Sequence, residues 1–387
     1  MDTLARQSRI LYQAALIVFL VTIVIGILNG LDVWDPSHEM LITHVHAGTL
    51  GWITMAVIGI LLTMFGAGAS DAEVTTGKTI AHLSLVTIVL YVVTFAIGAG
   101  IYRPIAGTLL LIVLIWVLVW TIRRYRASPR TTGHLAIYLA TISLVIGAVL
   151  GVLLGLFISN VSIPGLSVET SQAIGGAHPP AMLIGYLILA GAAVAAWQLD
   201  GANSRLGRIA AWTLFASGIL ANIAFIFNLE ALIQAFGALE AIGIITFLIA
   251  LWPQLRPGTP GSAFAKTSVL FLGIGLVLII YLVVLFSSGQ LDPETGEGPI
   301  GVLTAFDHAM FIGVMTNGLF AVLSTLIDWR GSDRFLLWAI NLSLAGFIAG
   351  LVTESSILIR ISTPIMGLAL IGAIVIAVPA LNRSRTV

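Results

Sequence analysis

The chain has 387 residues, of which 59% are hydrophobic and 9% charged, and its mean hydropathy is +1.09. Soluble domains carry about a quarter charged residues, so this composition excludes a soluble globular protein. Seventeen basic residues balance seventeen acidic ones, which leaves no net charge to attract nucleic acid. With no cysteine, disulfides, iron–sulfur clusters, zinc–thiolate sites and thioether-attached haem are excluded as well.

Apolar stretches of about twenty residues, long enough to cross about 30 Å of hydrocarbon, recur along the whole chain. They are continuous and rich in Leu, Ile, Ala and Gly, which is typical of helices and not of barrel strands. We expect an all-α polytopic membrane protein in which residues 1–387 form a single transmembrane domain. Its twelve predicted spans begin near Ile10, Leu41, Thr79, Ile105, His134, Ala177, Gly207, Ala231, Thr267, Ile300, Phe335 and Ser356.

The basic residues predict the orientation of these spans. With the N-terminus placed on one side, only Arg103 and Arg360 of the seventeen basic residues fall on the opposite side. Lys and Arg concentrate in cytoplasmic loops. We therefore expect both termini to be cytoplasmic and the chain to be integral to the cell membrane, in contact with the lipid bilayer.

Three similar segments containing histidine and glycine open the second, sixth and tenth spans. They read HVHAGTLGW (44–52), HPPAMLIGY (178–186) and FDHAMFIGV (306–314). When they are aligned on their glycines, His44 and His178 lie seven residues before the glycine, and His46 and His308 lie five residues before it. All three spans enter from the outer face, so the four histidines are predicted at matching depth.

Every fourth span carries one of these segments. Such a period predicts an internal repeat. We expect three four-helix units around a pseudo-threefold axis, roughly 1–130, 131–260 and 261–387.

His44 and His46 cannot serve one centre from one helix face, because they are about 200° apart around a helix. The second span must therefore direct one imidazole to each of two neighbouring helices. Equal depth pairs His46 with His308 and His44 with His178. Two facing imidazoles suit the iron of a six-coordinate haem, and they also suit copper. We expect haem iron at His46 and His308, and a second haem iron or copper at His44 and His178.

The expected cofactor is therefore haem b, in one or two copies, with copper possible. Haem carries two carboxylates, and the two outer arginines, Arg103 and Arg360, begin spans at the depth of the histidines. Since arginine forms bidentate bonds with carboxylates, both are candidate propionate partners; pairing with Glu354 or with lipid phosphate is the alternative. Small residues beside the histidines would admit a flat macrocycle or serve ordinary helix packing: Ala47, Gly48, Gly51, Ala181, Gly185, Ala309 and Gly313.

At HVHAGTLGW followed by ITMAVIGILLTMFG, the chain resembles the haem-copper oxidase superfamily, in particular the catalytic subunit of C-type oxidases and nitric oxide reductases. That resemblance implies twelve helices in three arcs of four, with haems near the outer face. It also implies that His46 and His308 match the low-spin haem ligands, His178 a copper ligand, and Arg360 a propionate partner. The segment SHEML (37–41) and the HA-x-x-x-G pattern of the tenth span are similar to the NnrS family of haem- and copper-containing membrane proteins.

The chain also departs from the superfamily. The seventh span contains no histidine to complete a copper triad, and Phe306 stands where the high-spin haem ligand is expected. A standard oxygen-reducing centre is therefore not expected.

The leading hypothesis is a haem b protein that transfers electrons, or that binds or reduces a small gas such as NO or O₂. A small redox protein at the outer face is its expected electron donor. Two alternatives stay open: a secondary transporter that moves protons or a metal ion through the histidines and Glu240, and a haem-based redox or gas sensor without turnover.

Several other polar and aromatic residues carry weaker signals. His82 and His134 begin spans at the cytoplasmic side and are expected at the interface, while His38 is a loop residue or a third metal ligand. Asp307 is a candidate to orient an imidazole N–H. Trp52 and Tyr186 follow the aligned glycines and pack either on a macrocycle or on neighbouring helices.

Overall fold

The computed structural model describes residues 3–161, 165, 167–199, 204–256, 262–291 and 298–383. These residues form twelve helices that are long and apolar enough to cross a membrane, which confirms the expected all-α polytopic membrane protein. In chain order they are α1 (Thr3–Gly30), α2 (His38–Gly66), α3 (Asp71–Ile97), α4 (Tyr102–Ala127), α5 (Thr132–Ile158), α6 (Val168–Gln198), α7 (Arg205–Ile226), α8 (Glu230–Leu251), α9 (Ala263–Ser287), α10 (Gly301–Leu323), α11 (Asp333–Val352) and α12 (Ser356–Arg383).

Local signals set the ends of several helices. Ser70 and Glu73 form a capping box at the start of α3, and the Thr131 side chain accepts a backbone hydrogen bond at the start of α5. A short connection joins α7 to α8. There Asn228 has a φ of 50°, a left-handed conformation that asparagine adopts more readily than most residues.

Helices α2, α6 and α10 form the centre of the bundle. In their apolar windows 89%, 78% and 78% of the residues are buried inside the protein, against 50% or less in the other nine helices. The three helices that begin with the histidine segments are therefore the inner ones, and the other nine surround them.

Each central helix changes from α- to π-helical geometry directly after the histidine segment begins. The π segments are Ala47–Thr54, Ala181–Ile188 and Ala309–Thr316. Their spacing along the chain equals that of the three aligned glycines. Threonines close two of them: the hydroxyls of Thr54 and Thr316 donate to carbonyls five residues earlier, at 2.8 and 2.9 Å. π-Helical segments are rare in proteins, and those that occur often lie at functional sites.

Two hydrogen bonds link the π segment of α2 to those of α10 and α6. The Trp52 indole of α2 donates to the Thr316 hydroxyl of α10 at 3.0 Å, and the Tyr186 hydroxyl of α6 donates to the Thr54 hydroxyl of α2 at 3.3 Å. Donors and acceptors occupy matching positions of the aligned segments. These contacts show that both aromatic residues pack between helices.

One buried arginine fixes the end of α2 that lies far from its histidines. Arg124 of α4 donates to the carbonyls of Phe65 and Ala67 at 2.8 and 2.6 Å and forms an ion pair with Glu73 at 3.1 Å. Cationic donors stabilise the free carbonyls at a helix C-terminus. His134, expected at the interface, is instead buried beside the Phe65 ring, with 5.2 Å between ring centroids.

Candidate functional site

Two cavities open at the end of the bundle where α2, α6 and α10 begin, and each contains two of the four candidate histidines. The first, the His44 cavity, has a volume of about 590 Å³ and is lined by His44, His308 and Arg360 among others. The second, the His46 cavity, has a volume of about 340 Å³ and is lined by His46, His178, Arg103 and others. The structure therefore brings all six candidate residues to two sites.

In the His44 cavity the two imidazoles face each other across a short gap. The ring centroids of His44 and His308 are 6.4 Å apart and the ring planes differ by 29°. Two imidazole–metal bonds of about 2 Å each, extended by the radii of the two rings, would put the centroids about 6 Å apart. The pair thus has the separation expected of two ligands on opposite sides of one metal.

All four imidazoles are held in the same way. Nδ1 bonds to a backbone carbonyl in each case: His44 to Thr22, His46 to Ile42, His178 to Gly147 and His308 to Thr304, at 2.9, 2.9, 3.0 and 2.9 Å. A carbonyl oxygen only accepts, so Nδ1 carries the proton and donates it, and in the neutral ring Nε2 keeps its lone pair. This arrangement orients metal-binding histidines in many proteins.

The pairing of the histidines differs from the one predicted from depth. His44 shares its cavity with His308, and His46 shares the other with His178. The predicted pairs were His46 with His308 and His44 with His178, so the observed geometry groups the four side chains differently. Depth was the poorer criterion, because two residues change depth by only about 3 Å but turn a side chain by about 200°. The direction in which the His44 and His46 side chains point from α2 determines which helix each imidazole faces.

Aromatic rings flank the imidazoles in both cavities. The His46 ring stacks on the Phe95 ring with 3.7 Å between centroids, and the His308 and Phe347 rings form a T-shaped contact with 4.9 Å between centroids. Phe311 lines both cavities. Such walls keep water from the imidazoles and lower the local dielectric constant, which tunes the properties of a bound metal.

The two candidate arginines have different surroundings. Arg360 is 55% exposed and forms an ion pair at 2.6 Å with Asp32, not with Glu354. Arg103 is 8% exposed, lies over the Phe95 ring at 4.7 Å, and its buried Nε has no hydrogen-bond partner within the described part of the chain. A buried guanidinium N–H without an acceptor is costly, so the His46 cavity offers an anion a hydrogen-bond donor.

Asp307 lies between the two cavities and lines both. The expectation that it orients an imidazole through its N–H does not match the structure, since each Nδ1 is bonded to a carbonyl. His38 lines the mouth of the His46 cavity as an exposed side chain, and His82 is exposed away from both cavities.

Two glycines that the sequence did not single out touch the imidazoles. A Cβ atom added to Gly26 would lie 3.1 Å from Cε1 of His44, and one added to Gly151 would lie 2.8 Å from Cε1 of His178. A side chain at Gly151 would force the His178 ring to shift, and one at Gly26 would crowd the His44 ring. No pattern around either residue distinguishes it from the many other glycines of the chain.

The glycines aligned in the three segments serve helix packing instead. Gly51 packs against Val18 of α1, and Gly313 packs against Phe271 of α9. Gly48, another small residue beside the histidines, instead lines the His44 cavity. Of the two interpretations of these small residues, helix packing therefore applies to Gly51 and Gly313.

Each cavity thus combines imidazoles with oriented lone pairs, apolar walls and one of the two candidate arginines, which are groups of the kind that a haem would require. Within the described ranges, no three His, Asp or Glu side chains converge on one point as ligands of a single metal ion. Comparison with protein-family models and with curated protein sequences gives no match for this chain.

Proposed function

We propose that this chain is an electron-transfer protein of the cell membrane that binds two haem b groups, one in each histidine cavity. His44 and His308 would be the axial ligands of one iron, and His46 and His178 those of the other. The observation that carries the proposal is the shared geometry of the four imidazoles, each fixed through Nδ1 and each lining a cavity with one partner imidazole. Bound haem would supply a one-electron redox couple in each cavity.

The number of ligands favours electron transfer over gas chemistry. Two imidazoles on one iron fill both axial positions, and binding or reduction of NO or O₂ requires a free one. The facing geometry of His44 and His308 supports this choice directly. In the His46 cavity, the shared lining of His46 and His178 supports the same arrangement.

The two arginines would neutralise the haem carboxylates. The Nε atom of Arg103 is buried without a hydrogen-bond partner among the described residues, so a carboxylate would satisfy a donor that the protein leaves free. Arg360 would share its charge between a carboxylate and Asp32. Their planar donor groups match carboxylates geometrically.

The proposed orientation rests on the distribution of basic residues. Since only Arg103 and Arg360 lie on the side of the histidines, that side would be the outer face and both termini would be cytoplasmic. Both cavities would then lie near the outer water, within reach of an external electron donor such as a small redox protein.

A relationship to the haem-copper oxidase superfamily remains part of the proposal. It is supported by the motifs of α2, α6 and α10 and by the position of these helices at the centre of twelve. The pairing of His308 with His44 instead of His46 departs from that resemblance. The protein would have a related fold in which each of the two irons is bound by two imidazoles.

A spectrum and a metal count test the proposal. The protein purified in detergent should contain two irons and no copper per chain, and reduction should sharpen the visible bands of a six-coordinate haem b. Carbon monoxide added to the reduced protein should leave the spectrum unchanged, because no axial position is open. His82→Ala, in an exposed histidine away from the cavities, is the matched control and should keep both irons.

Other results would contradict the proposal in distinguishable ways. A colourless, metal-free preparation would favour a transporter. Copper in place of one iron would make one histidine pair a copper site. A large shift with carbon monoxide would show an open iron position and would favour gas binding.

A further inference from the structure

A shallow groove runs along the lateral surface of the bundle between α7 and α8, starting at the end opposite the histidine cavities. It has a volume of about 540 Å³. One wall begins with Arg205 and Arg208 at the start of α7 and continues to Ala216, and Leu239 of α8 lines the other side. In a membrane this surface faces lipid, so the molecule that fills the groove is a lipid.

The residues of α7 that line the groove follow one face of the helix. Four of them are separated by three or four positions, the spacing that places side chains on one helical face: Arg205, Arg208, Trp212 and Ala216. Along this face the side chains change from cationic to aromatic to small and apolar. A phospholipid changes in the same order, from its phosphate through the glycerol esters to its acyl chains.

The charges of the groove favour an anionic headgroup. Arg205 and Arg208 are exposed, and neither side chain forms an ion pair with another described residue. Glu240 directly follows Leu239 in the chain, but it is fully buried and does not line the groove. Among the described residues the groove therefore contains two cations and no carboxylate. A zwitterionic headgroup suits it less well, because its own cation competes with the arginines for the phosphate.

The groove has the length of one leaflet. From Arg205 to Ala216, α7 rises about 16 Å at 1.5 Å per residue, and half of a hydrocarbon layer about 30 Å thick is about 15 Å. Trp212 lies between them and is 51% exposed. Tryptophan is enriched where headgroups meet the hydrocarbon. An acyl chain that starts below the arginines would thus reach the middle of the bilayer beside Ala216 and Leu239.

We propose that the groove between α7 and α8 is a binding site for one anionic phospholipid of the leaflet opposite the histidine cavities. Arg205 and Arg208 bind its phosphate, since the guanidinium group matches phosphate oxygens geometrically, and an acyl chain lies along Trp212 and Ala216. In the orientation proposed above this leaflet is the cytoplasmic one, where basic pockets between helices recognise anionic headgroups. The site is separate from the histidine cavities and goes beyond the proposed electron transfer.

Native mass spectrometry of the full-length protein released from nanodiscs tests this inference. The nanodiscs contain an equimolar mixture of phosphatidylcholine and phosphatidylglycerol. Wild type should retain phosphatidylglycerol in preference to phosphatidylcholine. Arg205→Gln/Arg208→Gln should reduce this retention about 25-fold, because each basic residue near an anionic lipid strengthens its binding about fivefold.

A second arginine pair provides the matched control. Arg123 and Arg126 are also exposed, also three positions apart and on the same side of the membrane, but they do not line the groove. Arg123→Gln/Arg126→Gln should retain as much phosphatidylglycerol as wild type. Size-exclusion chromatography checks that each variant stays monodisperse.

Filling the groove separates the acyl chain from the headgroup. Ala216→Phe keeps both arginines but occupies the space beside Leu239, and it should lower the retention of phosphatidylglycerol several-fold. Ala238→Leu, exposed on α8 outside the groove, should retain as much as wild type.

Four results would overturn the inference. Wild type could retain both phospholipids equally, or Arg205→Gln/Arg208→Gln could retain as much phosphatidylglycerol as wild type. An equal loss in Arg123→Gln/Arg126→Gln would mean that any arginine at this end attracts the lipid. Unchanged retention in Ala216→Phe would exclude the groove as the place of the acyl chain. None of these results bears on the visible spectrum or the iron content, so the two proposals fail separately.

Discussion

The two histidine cavities contain nearly the same chemical groups in different electrostatic settings. Each has two of the candidate imidazoles and one arginine, with His38 in addition in the His46 cavity, and Val45, Asp307 and Phe311 line both. In the His44 cavity the arginine is half exposed and forms an ion pair with Asp32, whereas in the His46 cavity the arginine is buried, forms no ion pair among the described residues and leaves its Nε unpaired. A repeated set of side chains therefore does not give two electrostatically equivalent cavities.

This difference orders the two proposed redox sites. A positive charge near an iron favours its reduced state, and burial keeps that charge from being screened. Arg103 should therefore raise the midpoint potential of the His46 site, while Asp32 offsets Arg360 at the His44 site. Electrons would collect at the His46 site.

Removing pairs of imidazoles is expected to have the largest effect, because it should empty one or both cavities of haem. The double variants His44→Ala/His308→Ala and His46→Ala/His178→Ala should each keep one haem per chain, because each leaves one cavity intact. The double variant His44→Ala/His178→Ala should keep none. Haem content by pyridine haemochrome checks all three; retention of one haem in the last variant would contradict the pairing of His44 with His308 and of His46 with His178.

The second-largest effect is expected from adding one methyl group beside an imidazole, which should weaken haem retention in one cavity and not in the other. Gly151→Ala would place a Cβ 2.8 Å from the His178 ring, and overpacking of this kind costs about 1–3 kcal/mol. We expect weaker haem retention in the His46 cavity only, measured by haem loss to an excess of apomyoglobin. Gly26→Ala, with 3.1 Å to His44, should act more weakly and on the other cavity.

Gly176→Ala is the control for this pair. It lies in α6 close to His178, yet nothing comes within 4 Å of the added Cβ. Haem retention should equal that of wild type. Equal losses in Gly151→Ala and Gly176→Ala would mean that the contact with the ring has no influence.

The sequence predicted much of this arrangement but not the pairing. Twelve helices, one cluster of four histidines at one end and the two nearby arginines follow from hydropathy, charge and spacing. The partner of each imidazole depends on the rotation of α2 about its axis. The π segment that starts at Ala47 changes how α2 packs against its neighbours in a way that a regular period of 3.6 residues does not describe.

The surroundings of the arginines were also beyond the sequence. Arg103 and Arg360 both begin a span near the histidines, and nothing in their neighbours distinguishes them. Burial of Arg103 depends on Phe95 of α3, and the charge of Arg360 depends on Asp32 after α1. Both contacts join residues that are not adjacent in sequence, so only the packed bundle reveals them.

Neutralising the buried arginine should lower one potential. At an effective dielectric constant of about 20, a unit charge about 9 Å away is worth roughly 2 kcal/mol, or roughly 80 mV for one electron. Arg103→Gln should therefore lower the higher midpoint potential by tens of millivolts in a redox titration followed by absorbance. Arg360→Gln should change the lower potential much less, and a larger shift in Arg360→Gln would reverse the proposed order.

The smallest expected effect concerns the exposed ion pair. Asp32→Asn should raise the lower midpoint potential by the equivalent of less than about 1 kcal/mol, because exposed ion pairs are weak. High salt should diminish the change further. A shift in Asp32→Asn that persists undiminished in high salt would mean that this pair is shielded from water.

The central claim is that imidazoles from different helices hold a separate haem in each cavity. A cryo-electron microscopy map of the purified protein tests it most directly. We expect two flat densities, one bonded by Nε2 of His44 and His308 and the other by Nε2 of His46 and His178. A single density shared by His46 and His308, or cavities filled with lipid or water, would contradict the claim.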